Sequence, residues 1–163
     1  YDVKKSEVHG MAQRGGSVTS HVRWADHVFS PLIGRGQVDL LLAFEKLEAV
    51  RFAGLLRPGA IIVANDYAIP PVSVSVGNDR YPLDEEVRRA LATVSPHTYF
   101  IPALALAEKL GNPRVNNVVL LGALSRFVPV DVTLWLEAIA ERVPPHTRDL
   151  NQAAFCAGRE AGQ

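Results

Sequence analysis

The stretch His9-Gly10-Met11-Ala12-Gln13-Arg14-Gly15-Gly16 concentrates residue types suited to gripping an anion. Two adjacent glycines open backbone conformations closed to other residues. They can turn successive N–H groups toward one negative group, as a nest does. Arg14 adds a planar fork that fits a phosphate or a carboxylate. The simpler alternative is a tight turn between two strands, with Arg14 paired to a neighbouring acid. The spacing is not that of a P-loop, which ends in Lys-Ser/Thr, and no G-x-G-x-x-G occurs.

Two other polar pairs stand beside apolar runs. Asn65-Asp66 follows Ala60 to Ala64. Polar residues at the carboxyl ends of parallel strands line the usual ligand crevice, although a loop and helix cap would need the same types. Asn116-Asn117 opens a segment that is otherwise apolar on all sides. Buried amides must find hydrogen-bond partners, so at least one is expected to bond backbone groups in the loops after the strands.

Other chemistries find little support. Glu7, His9, His21 and His27 are close in sequence but lack metal-ligand spacing. They read as structural or exposed, and no metal site is expected. No G-x-S-x-G elbow exists. Cys156 has only Arg159 as a local basic neighbour, so a catalytic thiol is not expected. No residue is assigned a catalytic role.

The 163 residues suit one domain, here 1–163, and 48% of them are apolar, enough for a sizeable core. Seventeen Lys and Arg balance seventeen Asp and Glu. A nucleic-acid partner would call for a basic excess or stripe, and neither is present. Arg88-Arg89 sits beside Glu85-Glu86 as a solvated helix face. A single cysteine excludes a disulfide framework and a thiolate-held cluster. It also points to a reducing, cytoplasmic compartment. The longest apolar run, Val118 to Leu124, is far below the ~20 residues that span a bilayer.

The elements alternate. Strands are expected over 2–8 and 17–23, the second with a continuation over 27–30 before Pro31. Val38 to Phe44 is near-continuously apolar, the pattern of a strand buried on both faces of a parallel sheet. A helix over 45–56, stopped by Pro58-Gly59, and a strand over 60–64 complete a strand–helix–strand unit. Val72, Val74 and Val76 alternate with serines, which predicts a half-buried or edge strand. Asp84 caps a helix over 85–94, and 97–101 is another strand. Pro102 starts a helix ending at Gly111. Asn112-Pro113 starts the next, to about 127. Asp131 caps another, and 147–161 forms the last. The fold class is α/β, a mainly parallel, Rossmann-like sheet flanked by helices, with a helix-rich C-terminal part.

Gly10 to Val18, followed by His21-Val22-Arg23, resembles the G-M-[AS]-Q-R-G-G-x-V…H-[VI]-R signature of gamma subunits, or gamma-like domains, of 2-oxoacid:ferredoxin oxidoreductases. Ser30-Pro31-Leu32-Ile33, Asp39 to Arg51 and Asn116 to Ala123 resemble the branch of indolepyruvate oxidoreductase beta subunits. The similarity runs from Val3 to Leu136, and its first stretch of nine consecutive positions is the specific part.

The resemblance implies a subunit of an enzyme that decarboxylates a 2-oxoacid (an indolepyruvate or arylpyruvate), passes the acyl group to coenzyme A and sends electrons to ferredoxin. It implies no cofactor in this chain, with thiamine diphosphate, Mg and iron–sulfur clusters in a large catalytic partner. The Gly-Asp-Gly…Asn-Asn pattern for magnesium diphosphate is absent. Gln13, Arg14, Gly15, Gly16, Asn65 and Asp66 are the expected contacts to coenzyme A or to the partner. No nucleic-acid or membrane partner is expected, and a homodimer of the isolated chain stays open. Family members open with a strand, a Gly-rich loop and a helix before the position of Tyr1. That segment is expected to be missing here, leaving an exposed apolar edge and face. The alternatives are a gamma subunit acting on pyruvate, 2-oxoisovalerate or 2-oxoglutarate, and a free-standing nucleotide- or anion-binding module.

Overall fold

Alternating residue types near the start build a hairpin. β1 (Asp2–His9) pairs antiparallel with β2 (Val18–Ala25), placing Val3 opposite Trp24 and Ser6 opposite His21. The computed structural model describes residues 1–9 and 18–162, His9 by its backbone only. Gln13, Arg14, Gly15 and Gly16 therefore lie outside the described residues.

The apolar runs form a separate three-stranded sheet. β3 (Val38–Ala43), β4 (Leu56–Asn65) and β5 (Thr98–Ile101) pair in that order, all parallel. Side chains alternate across β4 as the period of a strand requires. Ile62 and Ala64 join a core with Ala49, Val87 and Leu91, whereas Val63 joins the opposite core with Val119, Leu120 and Phe155. The first layer carries α1 (Lys46–Phe52) and, after α2 (Val72–Ser75), α3 (Asp84–Ala92). The second carries α4 (Ala103–Lys109), α5 (Asn116–Ser125), α6 (Val132–Arg142) and α7 (Arg148–Ala161). The expected α/β architecture with a helical C-terminal third is what forms.

Several ends fall where their chemistry put them. Gly111 has φ +87° and closes α4: its N–H donates to the Glu108 carbonyl and that of Asn112 to Ala107. Asp131 accepts from Thr133 N at 2.8 Å at the start of α6. At α5 and α7 two helices approach on glycines. A Cβ on Gly158 would lie 1.8 Å from the Val119 carbonyl oxygen, and one on Gly122 would lie 2.1 Å from that of Phe155.

Several expectations need correction. Residues 27–30 do not continue the second strand, which ends at Ala25. Residues 72–76 are not a strand: 72–75 form the short α2, with Val72 and Val76 both exposed. The helix after β3 ends at Phe52, and β4 starts at Leu56 and runs through Pro58-Gly59. The pairing shifts register between Val38 and Leu40, and Gly59 takes φ +73°. Asn116 and Asn117 are not buried amides. They form the first turn of α5, where Asn116 Nδ2 donates 2.7 Å to the nearby Pro113 carbonyl and Asn117 is exposed. A helix start leaves polar groups free for solvent or local capping, so the strand loops are not needed.

The outer side of β3 borders an open cavity of 1520 Å³. Val3, Val22 and Trp24 of the hairpin, Leu40 and Leu42 of β3, and Leu134 of α6 line it.

Candidate functional site at the carboxyl ends of the strands

β3 and β4 end in polar residues that meet. Asn65, almost wholly buried, closes β4. Its Nδ2 donates to the Phe44 carbonyl at 3.3 Å, and its Oδ1 accepts from Ala103 N at 3.3 Å. One side chain thus fastens the end of β3 to the start of α4. The Asp66 N–H donates to the Ile101 carbonyl at 2.7 Å, joining β5 to the same point.

Glu45 and Lys46 follow β3 directly, and both are buried. The Glu45 carboxylate caps α1 by accepting from Glu48 N at 3.1 Å. It also accepts from Ile69 N at 3.3 Å and from the Tyr81 hydroxyl. Burial, then the hydrogen bond to Glu45, pushes the Tyr81 phenol well above its ordinary value. Lys46 Nζ lies 2.6 Å from Asp84 Oδ1 and 3.2 Å from Asp66 Oδ1. Burial pulls the ammonium's pKa down. The bonds from Asp84 and Asp66 outweigh that, so the balance is a raised value. Asp84 is held below the usual carboxylate range by the same hydrogen bond and charge.

Sequence reading found Asn65 and Asp66 here but missed Glu45, Lys46, Tyr81 and Asp84. Applying the strand-end rule to β3 as well as β4 would have found the first two. The sequence marks Asp84 only as a helix cap, whereas α3 begins at Asp84 itself with Leu83 as its N-cap; nothing in the local pattern marks Tyr81, and the two come 36 and 38 residues after their partners.

The electrostatics constrain what this crevice can bind. Glu45, Asp66 and Asp84 outnumber the Lys46 ammonium, with Arg88 a more distant positive charge. A phosphate would have to displace a carboxylate. The Lys46 ammonium occupies the place a cation would take between Asp66 and Asp84. Among the described residues no group of three His, Cys, Asp or Glu could hold a metal ion, and Cys156 lies exposed on α7. The donor set does not fit a metal or an iron–sulfur cluster. No helix among the described residues is long and apolar enough to cross a membrane.

The described part of the other candidate region is the base of the hairpin. His21 Nδ1 accepts from Ile33 N at 3.0 Å, and Arg23 Nη1 donates to the Leu32 carbonyl at 3.0 Å. His21 and Arg23 therefore brace the chain over 30–33.

A family model described as pyruvate ferredoxin/flavodoxin oxidoreductase matches residues 1–161. The chain is 38% identical over 166 aligned positions to an indolepyruvate oxidoreductase subunit IorB of Pyrococcus horikoshii, covering 100% of this chain and 82% of that protein. Its fold is similar to a keto/oxoacid ferredoxin oxidoreductase gamma subunit from Geobacter sulfurreducens, with TM-score 0.67 and 22% identity over 98% of this chain and 79% of the other. A 2-oxoglutarate:ferredoxin oxidoreductase from Magnetococcus marinus, with 2-oxoglutarate, coenzyme A and succinyl-CoA bound, gives TM-score 0.67 at 20% identity. That match covers 98% of this chain and 25% of the longer one.

Proposed function

Because the chain belongs to the pyruvate ferredoxin/flavodoxin oxidoreductase family and is a subunit of a 2-oxoacid:ferredoxin oxidoreductase, we propose that it is the small subunit of an enzyme acting on indolepyruvate or a related arylpyruvate. The observation that carries this reading is the match to the indolepyruvate subunit, 38% identical over 100% of this chain and 82% of that protein. The free-standing anion-binding alternative is not favoured, since the whole chain, rather than one loop, follows the subunit pattern.

In this reading a large partner subunit holds thiamine diphosphate, Mg and the iron–sulfur clusters, which supply the decarboxylation and the electron path to ferredoxin. The small subunit docks on it. The Gln13-Arg14-Gly15-Gly16 loop meets coenzyme A or the partner. Asn65 and Asp66 act at the strand-end crevice, where the excess of carboxylates supports a contact with polypeptide over a contact with phosphate. The location is cytoplasmic, in keeping with one exposed, unpaired thiol. The chain has no turnover alone.

The test is a substrate panel on the complex co-expressed with its large subunit. Indolepyruvate should exceed pyruvate and 2-oxoglutarate in kcat/KM by about tenfold or more, a difference of ~1.4 kcal/mol. A preference for pyruvate or 2-oxoglutarate would overturn the arylpyruvate assignment.

A further inference from the structure

The segment after β2 is held by side chains from both strands of the hairpin. Val28 is buried; its N–H donates to Asp2 Oδ2 at 2.9 Å and its carbonyl accepts from Lys4 Nζ. Lys4 and Asp2 pair with each other at 3.1 Å. On the far side of the tip, Arg23 Nη1 reaches the Leu32 carbonyl at 3.0 Å and, more loosely, the Ser30 carbonyl at 3.4 Å. The Ile33 N–H bonds His21, and the Leu32 N–H bonds Ser30 Oγ at 3.2 Å. Asp2, Lys4, His21 and Arg23 all lie on one face of the hairpin, as the register sets them.

Between these two fixed points stands Phe29, 95% exposed, its ring 5.9 Å from that of His27. A phenyl ring held in water forgoes the free energy its burial would gain. A loop with no task would let such a ring fold back onto the apolar hairpin. Here the backbone on both sides is committed to other contacts, so the ring stays out. Rigid presentation of an aromatic lowers the ordering cost of binding. Aromatic anchors of this kind dominate interface energetics.

We propose that Phe29 is a docking anchor that inserts into an apolar pocket of the large catalytic subunit, with Asp2, Lys4, His21 and Arg23 as the brace that holds it ready. This rests on the subunit reading above. The Magnetococcus marinus structure favours that occupant over a second copy. The same fold forms about a quarter of that longer chain. As a subunit of a multi-subunit oxidoreductase, the chain has such a partner to meet, and a rigidly held exposed aromatic is the kind of anchor that meets it.

The test uses the complex purified by co-expression, with Phe29→Ala and Phe29→Asp in the small subunit. Subunit affinity is read by titration, and the melting temperature of each isolated small subunit is read in parallel. The expected result is a loss of affinity of about tenfold or more for Phe29→Ala and a larger one for Phe29→Asp. Melting of the isolated chain should be unchanged, because the ring touches little of its own protein. His21→Ala, which leaves Phe29 intact but frees Ile33, should weaken binding by a smaller factor. A wild-type chain that binds while both Phe29 variants bind equally well overturns the anchor and leaves the subunit reading standing. A wild-type chain that binds no large subunit overturns the subunit reading instead. Self-association of the isolated wild-type chain that Phe29→Asp abolishes, with the large subunit still bound normally, would assign the ring to a second copy and overturn the proposal.

Discussion

Lys46 Nζ lies 2.6 Å from Oδ1 of Asp84, 38 residues further along the chain, and so fastens the start of α1 to the start of α3 across the carboxyl end of the sheet. The lysine is nearly buried, with 10% of its side chain exposed, while the Asp84 side chain is 62% exposed and that of Asp66 is 39% exposed.

That asymmetry predicts an ordering of variants. Lys46→Met replaces the ammonium with an apolar chain of similar reach and leaves two carboxylates that water can serve. Its cost should stay within about 1 kcal/mol. Asp66→Asn with Asp84→Asn leaves the cation in place without its charged partners and should cost more than Lys46→Met. Urea denaturation midpoints measure both. A double variant as stable as Lys46→Met would remove the basis for treating Lys46 as the buried partner.

The same pair sets a pH dependence. Asp84 is depressed by Lys46, so its contribution is full above the unfolded value of ~3.9 and is lost as pH falls through its lower folded value. Lys46 is raised, so its contribution is full below ~10.4 and is lost as pH rises through the higher folded value. The difference in melting temperature between wild type and Asp84→Asn should therefore be flat from about pH 5 to 9 and shrink on acidification below about pH 4. A difference that grows on acidification would reverse the assigned sign.

The contact between α5 and α7 gives a sharper effect. With 1.8 Å to the Val119 oxygen, a methyl group on Gly158 forces the helices apart. Gly158→Ala should cost about 3 kcal/mol or more, although alanine is the better helix former by ~1 kcal/mol. Gly111→Ala is the comparison: nothing lies within 4 Å, and only the positive φ opposes it, at about 1–2 kcal/mol. Equal losses at the two positions would contradict the packing account.

The Arg14 loop is tested by function. Arg14→Lys keeps the charge but loses the fork, and Arg14→Ala loses both. A coenzyme A contact predicts a raised KM for coenzyme A with assembly intact, and a partner contact predicts weaker assembly. Wild-type turnover and assembly in both variants would leave the loop as a turn.

How legible these features were depends on how local their causes are. Asp131 and Gly111 act within one turn of helix, so residue type and position were enough. The strand over 38–44 and those at 60–64 and 97–101 announce themselves by apolar composition. Val72, Val74 and Val76 misled, because spacings of two over five residues also place the first and last on one face of a helical turn. With Val72 and Val76 exposed at 78% and 62%, no burial enforces a strand. The strand-end cluster was half legible. Asn65 and Asp66 sit beside an apolar run, but Tyr81 and Asp84 reach Glu45 and Lys46 only through the fold. Phe29 looked like part of a continuing strand. Its exposure follows from contacts made by Asp2, Lys4, His21 and Arg23, which no sequence period encodes.

The most direct measurement is 2-oxoacid-dependent reduction of ferredoxin, or of a viologen dye, by the chain alone and by the chain with its large subunit. Both samples contain indolepyruvate, coenzyme A and thiamine diphosphate. The account predicts no turnover and a colourless preparation for the chain alone, and turnover with the colour of iron–sulfur clusters for the complex. A brown preparation of this chain that reduces the acceptor without a partner would contradict it.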